Sequence, residues 1–347
     1  MTIASEITRI NNNIANAYTA CSNKGATMPA TQNSANLATT IGTISAGVQS
    51  LYGANIYTFL TNPDANGNLY PPSSSTALSF DGVKTLQAFA LRYIFMQNAN
   101  ITRADFPDLV AMPGSYALSS TFNSCANIWT ATFPKLASLD GQYALYMAFN
   151  ACTELTTLQF TYLQSIAGTS ACRNMAVGCT SLTSISFPAL ISVKGHLAFY
   201  YAFQNCTSLT SVNFPELVQI GNETATGTNG QTFAYAFSVC TNLTELRFPK
   251  LEKIYINGGN VGNNGTFANN TTIQKMYFPK LNDITYSPAY TGTSTSVTSA
   301  RKWIFYNCNS LTEIHFASAN ETAIKATAGW STLWGRGAGN ATVYFDL

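Results

Sequence analysis

One motif recurs, with variation, eight times along the chain: Phe, two residues, Cys or Asn, then spaced apolar residues that close on Phe, usually Phe-Pro. Its clearest copy runs Phe203-Gln-Asn-Cys206-Thr-Ser-Leu209-Thr-Ser-Val212-Asn-Phe214-Pro215-Glu-Leu217-Val-Gln-Ile220. The Cys or Asn position falls at Asn98, Cys125, Cys152, Cys179, Cys206, Cys240, Asn270 and Cys308. Successive differences are therefore 27 four times, then 34, 30 and 38 residues. A near-fixed period in this range predicts a solenoid, in which each unit buries its apolar face only against its neighbours. The expected fold is a β-rich repeat solenoid of period 27, with parallel strands stacked in rungs and a short α-helical segment before them.

Composition narrows the surface chemistry. Of the 347 residues 46% are hydrophobic and only 9% charged, with a net charge of +2. The surface must then be built largely from Asn, Thr, Ser, Gly and Tyr. There is no clustered Lys and Arg of the kind that marks a nucleic-acid or anionic-membrane partner. No window approaches the roughly 18 uninterrupted apolar residues of a spanning helix, so no membrane insertion is expected. The start, Met1-Thr-Ile-Ala-Ser-Glu-Ile-Thr-Arg-Ile, is amphipathic and unlike a secretory leader. Either a leader was removed or export follows another route. Polar, weakly charged surfaces rich in Tyr suit an extracellular location, on a virion or a cell.

Eight cysteines invite a disulfide reading. Six of them share one repeat position, however. Stacked rungs place equivalent Cα atoms about 4.8 Å apart, but their Cβ vectors run parallel and do not converge on a bond. A ladder of buried free thiols is expected, each a small apolar filler with a weak donor for the turn. Asn98 and Asn270 fit the same place because Asn satisfies turn backbone groups. Cys172, at a position held elsewhere by Leu145, Phe199 and Phe233, is expected in the core.

Along the chain, Ile3, Ile7, Ile10, Ile14, Ala17 and Cys21 form a helical seam that Gly25 and Pro29 break. Leu37, Ile41, Ile44, Val48 and Leu51 repeat the spacing. Residues 1–51 are thus expected to be a helical assembly or capping segment. Ile at both seam positions suits a homotrimer; a hairpin folded on itself or on the solenoid suits the pattern equally well. Residues 52–79, rich in Asn, Pro, Ser and Gly, read as a linker or irregular cap. The solenoid is expected over 80–347, from the degenerate unit Phe80-Asp-Gly-Val83-Lys-Thr-Leu86 to a half-unit at Val343 and Phe345, with Trp330 and Trp334 covering the open end. Within each unit the segment before Phe-Pro reads as a strand that proline terminates. The following Leu-x-x-Ile reads as the opposite wall, and Ala-Phe as the return turn. Phe95, Phe122, Phe149, Phe203, Phe237, Phe267 and Phe305 recur in register and read as a buried stack. Insertions at 221–232, 255–266 and 285–302 map to loops.

The Cys-Thr-Ser-Leu-Thr-Ser-Ile/Val core, as in Cys179 to Ile185 and Cys206 to Val212, followed by Ala-Phe-x-x-Cys, resembles the BspA-like leucine-rich repeat family over about residues 80–347. That resemblance implies a bacterial cell-surface or secreted protein of adhesion. Its usual unit is somewhat shorter than 27 residues, which implies a wider cross-section here. Residues 1–50, with Ala17-Tyr18, Lys24-Gly-Ala-Thr-Met28-Pro29 and Asn33-Ser34-Ala-Asn36-Leu37, are similar to N-terminal segments of tail-associated proteins of phages that infect gut Firmicutes.

Catalytic chemistry is thin. His196 and His315 are the only histidines, the acids are scattered, and no HExxH, GxSxG, phosphate loop or calcium loop occurs. The chain reads as non-enzymatic, without cofactor or metal. A binding face follows from the period instead. Side chains that alternate with the inward residues of each strand should project outward: Arg103/Asp105, Thr130/Thr132, Thr157/Gln159, Ser184/Ser186, Ser211/Asn213, Glu245/Arg247, Lys275/Tyr277 and Glu313/His315. The last three rungs carry charge and rings, and the inserts beside them bring Tyr255, Tyr286, Tyr290 and Trp303. Such composition suits contact with a protein or glycan on a bacterial or host surface; a merely soluble sheet face is the plain alternative. Two roles fit. One is a phage tail receptor-binding protein for a bacterial surface, favoured by the atypical start. The other is a bacterial adhesin, favoured by the repeats. A structural spacer is a third.

Overall fold

The computed structural model describes residues 50–51, 76–224, 231–256, 265–286, 304–326 and 341–347. Strand β1 (Ser50–Leu51) precedes a series of rungs with one strand on a broad face and another on the opposite wall, the wall strand being the shorter as far as β13. The first three pairs are β2 (Thr76–Ser79) and β3 (Thr85–Leu86), β4 (Ile101–Asp105) and β5 (Ala111–Met112), β6 (Thr130–Thr132) and β7 (Ser138–Leu139). Then follow β8 (Thr157–Gln159) and β9 (Ser165–Ile166), β10 (Ser184–Ser186) and β11 (Ser192–Val193), β12 (Ser211–Asn213) and β13 (Gln219–Ile220). The C-terminal rungs hold β14 (Glu245–Arg247) and β15 (Lys253–Ile256), then β16 (Lys275–Phe278) and β17 (Asp283–Tyr286). The last rungs are β18 (Glu313–Phe316), a short helix α1 (Glu321–Ala326), and β19 (Thr342–Phe345).

Among the described residues all pairing is parallel, and it keeps register except for one shift between Thr76 and Ala77, where β2 meets β4. The wall is one nine-stranded sheet from β1 to β17, while the face divides into β2-β4-β6-β8 and β10-β12-β14-β16-β18-β19. Two boundaries differ from the sequence reading. Leu51 lies in a strand paired with Leu86, not on a helical seam. Residues 76–79, read as linker, pair with β4. Tertiary pairing overrides local propensity there, because stacking on a neighbouring rung satisfies main-chain groups that an isolated segment leaves open. The helical seam over 1–49, the linker at 52–75 and the aromatics Tyr290, Trp303, Trp330 and Trp334 lie outside the described residues.

Two kinds of aromatic column fill the interior. The phenylalanines that end the face strands, Phe80, Phe106, Phe133, Phe160, Phe187 and Phe214, stack ring on ring, with centroids 4.4–5.3 Å apart. Phe248, Phe278, Phe316 and Phe345 continue the column. On the return side Phe95, Phe122 and Phe149 stack likewise, as do Phe203 and Phe237. Phe267 stacks on Phe233 at 5.8 Å instead of continuing from Phe237. In that unit the return segment is shorter, and Asn270 fills in: its Oδ1 accepts the Phe237 N–H at 2.8 Å and its Nδ2 donates to the Phe233 and Phe267 carbonyls.

The return side is a chain of four-residue turns. Within it alternate N–H groups serve two directions. Tyr116, Leu118, Ser120, Phe122 and Ser124 donate to carbonyls of the next rung at 2.7–2.9 Å, whereas Ser119, Thr121, Asn123 and Cys125 donate three residues back. That geometry places every fourth residue in the left-handed region: Tyr116, Ser120, Ser124; Tyr143, Met147, Ala151; Leu197, Tyr201, Asn205. Each such side chain costs about 1–2 kcal/mol. Complete pairing of the buried main chain offsets that cost.

The thiol ladder is built as expected. Cys125, Cys152, Cys179, Cys206, Cys240 and Cys308 are buried and free, and each Sγ donates at 3.0–3.1 Å to a carbonyl of the preceding rung. Cys172 is also free and buried. A second ladder, of glycine, stands at a corner of the wall. A Cβ on Gly141, Gly168 or Gly195 would lie 2.1–2.2 Å from the carbonyl oxygen of the glycine one rung earlier.

Gly168→Ala should destabilise the fold by about 3 kcal/mol, the upper range for forced overpacking. Gly178→Ala should cost about 1–2 kcal/mol, because it meets nothing within 4 Å and pays only for its φ of +71°; urea denaturation of the two variants distinguishes them. The thiols predict alkaline sensitivity. Burial pushes Cys125 up to about 11 and Cys240 and Cys308 to about 12, from an ordinary 9.0. Above pH 9 the unfolded chain releases thiol protons that the folded chain retains, so stability falls as pH rises. Each such thiol should contribute about 1.4 kcal/mol per pH unit. The urea midpoint should drop between pH 8 and 10.5, and less steeply when Cys240 and Cys308 are replaced by Ala.

Candidate binding site

The C-terminal rungs bring six of the sequence-derived candidates onto one surface. Register pairs Glu245 with Lys275, Lys275 with Glu313 and Glu313 with Thr342. A parallel column runs Arg247, Tyr277, His315, Tyr344. Leu246, Met276 and Ile314 between them point into the core and hold the alternation in place.

The second column is a continuous π-stack. The Arg247 guanidinium lies 3.8 Å from the Tyr277 ring centroid, the Tyr277 and His315 rings are 4.6 Å apart at 13°, and His315 and Tyr344 are 4.8 Å apart at 11°. These spacings are those of adjacent strands, so backbone pairing sets the stacking distance. The rings present their edges outward.

Charges in this patch are paired. Arg247 grips Glu245 through Nε at 2.9 Å and Nη2 at 3.3 Å, and Lys275 Nζ reaches Glu313 at 3.0 Å. His315 has a carboxylate at each ring nitrogen, Asp346 Oδ1 at 2.9 Å from Nδ1 and Glu313 Oε2 at 3.1 Å from Nε2. The hydrogen bond from Lys275, then that from His315, holds the Glu313 carboxyl below its usual range. Its bond to Glu245 raises Arg247, and its bond to Glu313 raises Lys275. The patch therefore offers little net charge to a ligand. It offers ring edges, a guanidinium rim and carboxylate oxygens.

His315, expected to project outward, is 9% exposed, because the Tyr277 and Tyr344 rings cover its faces. Thr130, another expected outward position, is 4% exposed. Tyr255 is also buried, at 8%. Of the insert aromatics, Tyr286 ends β17 opposite Ile256; Tyr290 and Trp303 lie outside the described residues. Sequence reasoning missed Tyr344 and Asp346. Their signal was available: Val343 and Phe345 alternate inward, which places Thr342, Tyr344 and Asp346 on the face. Among the described residues no group of three or more His, Cys, Asp or Glu could hold a metal ion, and no helix is long and apolar enough to cross a membrane.

A march of parallel strands about a Leu, Ile and Phe core, with a period near 27, defines a leucine-rich-repeat solenoid. The BspA type leucine rich repeat region matches in six copies between residues 84 and 328, more than half of the chain, and the chain belongs to that family. No curated protein matches the chain. Among solved structures it is similar to a leucine-rich repeat protein of T. pallidum, at 19% identity over 53% of this chain and 74% of that one, TM-score 0.34. It is also similar to a leucine-rich cell surface protein of Faecalibacterium prausnitzii, at 14% identity over 79% and 86% of the two chains, TM-score 0.27. An internalin of Listeria monocytogenes matches at 12% identity over 76% and 65%, TM-score 0.28. The family match begins beyond residues 1–50, and nothing in it supports a phage tail role.

Removing the middle ring of the column should matter more than removing its exposed ion pairs. Glu245→Gln should change stability by less than about 1 kcal/mol. His315→Ala should cost about 2 kcal/mol, since it opens a buried site and leaves two carboxylates facing it. Equilibrium denaturation of both variants checks the order.

Proposed function

We propose that the chain is a non-enzymatic extracellular recognition protein of the BspA-like adhesin kind, displayed at a bacterial cell surface. Its C-terminal rungs, Glu245 to Tyr344 with the inserts that carry Tyr286, Tyr290 and Trp303, would grip a protein or glycan on a host or neighbouring cell. The observation that carries this reading is the π-column of Arg247, Tyr277, His315 and Tyr344, bordered by paired charges. Aromatic and Arg side chains on a rigid sheet are the residues that dominate binding energy at protein interfaces. Family membership supports a protein-binding role. Residues 1–51 would serve assembly, as a homotrimer or a cap.

Because the charges of the patch neutralise each other, binding should change by less than about threefold between 0.05 and 0.5 M salt. The labelled full chain is to be titrated on wells coated with mucin and host matrix proteins, and on intact gut bacteria. Saturable binding to a host protein or mucin, weakened at least tenfold by Tyr277→Ala with Tyr344→Ala, is expected. Binding confined to a narrow set of bacteria would instead favour a phage receptor-binding protein. Binding unchanged by the two substitutions would remove this face from the mechanism.

A further inference from the structure

The broad face is interrupted once away from the inserts, between β8 and β10. In flanking rungs two main-chain bonds frame each strand pair. Phe133 N–H donates to the Gln159 carbonyl at 2.9 Å and Phe187 N–H to Asn213 at 3.0 Å; Thr156 N–H donates to Trp129 at 3.0 Å and Thr210 N–H to Thr183 at 2.9 Å. The equivalent bonds from Phe160 to Ser186 and from Thr183 to Thr156 are not made, and β8 does not pair with β10. Beneath the opening the solenoid is intact. On the wall Ser165 pairs with Ser192 and Ile166 with Val193, and the Phe160 and Phe187 rings stack at 5.3 Å. The core thus holds the two rungs together while their outer strands part.

A cavity of about 260 Å³ occupies this seam. Every residue lining it is Thr, Ser, Gln, Leu, Phe or Pro, without a formal charge. Phe160 lines the cavity and is 1% exposed, and its N–H has no main-chain acceptor. Such donors are rare in folded proteins and find water or a ligand. Around it stand the hydroxyls of Thr157, Ser184 and Ser186 and the amide of Gln159, which donates to Thr161 at 3.1 Å. Leu158 and Phe160 give an apolar floor, and Pro188 an apolar rim.

We propose that this seam binds one neutral saccharide unit of a surface glycan. The chemistry selects it. A cavity without cations has nothing to hold a sulfate, phosphate or sialic carboxylate, and one without carboxylates has nothing for an ammonium group. A volume of about 260 Å³ lies just below the range of drug-sized pockets and admits a single ring, not an extended peptide. A pyranose offers neighbouring hydroxyls that each donate and accept, matching hydroxyls and main-chain groups spaced by the strand repeat, and a C–H face for Pro188 and Leu158. The site is separate from the C-terminal π-column, and neither needs the other.

The test uses the full chain and ligand-observed saturation-transfer NMR. The probes are N,N′,N″-triacetylchitotriose, lactose and mannobiose, with sialyllactose and a neutral hexapeptide as comparisons. Transfer to one ring of a neutral sugar is expected, with the Phe160 amide resonance shifting on titration. Ser186→Leu should weaken that binding at least tenfold, and Ser184→Ala with Ser186→Ala more mildly, each with the melting temperature of the unaltered chain. Lys250→Ala, which removes an exposed ion pair with Glu216 outside the seam, should leave it unchanged. Absence of binding to every neutral sugar, stronger binding of sialyllactose than lactose, binding of the peptide alone, or full binding by Ser186→Leu would each overturn the proposal.

Discussion

Everything in this molecule depends on one rung lying flat on the next at the spacing of a parallel sheet. A 27-residue coil cannot satisfy its own main chain, and it cannot bury its own phenylalanines. Stacking does both. Carbonyls and N–H groups pair between coils on the face, the wall and the return turns, and each Phe ring finds its partner one rung away. The tolerance is small. At the glycine corner a single added methyl would sit 2.1 Å from a carbonyl oxygen, so the coils close only where the side chain is missing altogether.

In-register stacking also explains the unusual return side. Among the described residues nineteen other than glycine take positive φ, including Phe89, Tyr93, Tyr143 and Val239. Aromatic and β-branched residues do not choose that region locally. The bonds to the next coil impose it, and the thiols finish the pairing by donating to carbonyls that the turns leave with a spare lone pair. Where a turn is dropped, the Asn270 amide takes over three of those bonds.

The same repetition turns the surface into columns. Equivalent positions sit one strand apart, so a charge on one rung meets its opposite on the next, as in Lys135 with Asp108 and Lys250 with Glu216. A ring likewise meets a ring, as from Tyr277 to Tyr344. A face of this kind is neutral in sum and patterned in detail, which suits recognition by shape and contact rather than by long-range attraction. The parted strands at β8 and β10 show the converse: when the ladder lapses, polar main chain and hydroxyls are left facing a cavity.

The amino-acid sequence by itself determined the rung. The recurrence of Phe, Cys and Phe-Pro required stacked units, placed the thiols and phenylalanines inside, and put Glu245, Arg247, Lys275, Tyr277, Glu313 and His315 on one face, because alternation in a strand is a local property of L-residues. Tertiary structure decided what no local rule contains. It drew Leu51 and residues 76–79 into the sheets, forced the left-handed turns, buried His315 between two tyrosines, added Tyr344 and Asp346 to its surroundings, and opened the seam beside Phe160. Those outcomes depend on how well one coil fits its neighbour, a sum of many contacts between residues about 27 positions apart, and that sum is settled only when the coils meet.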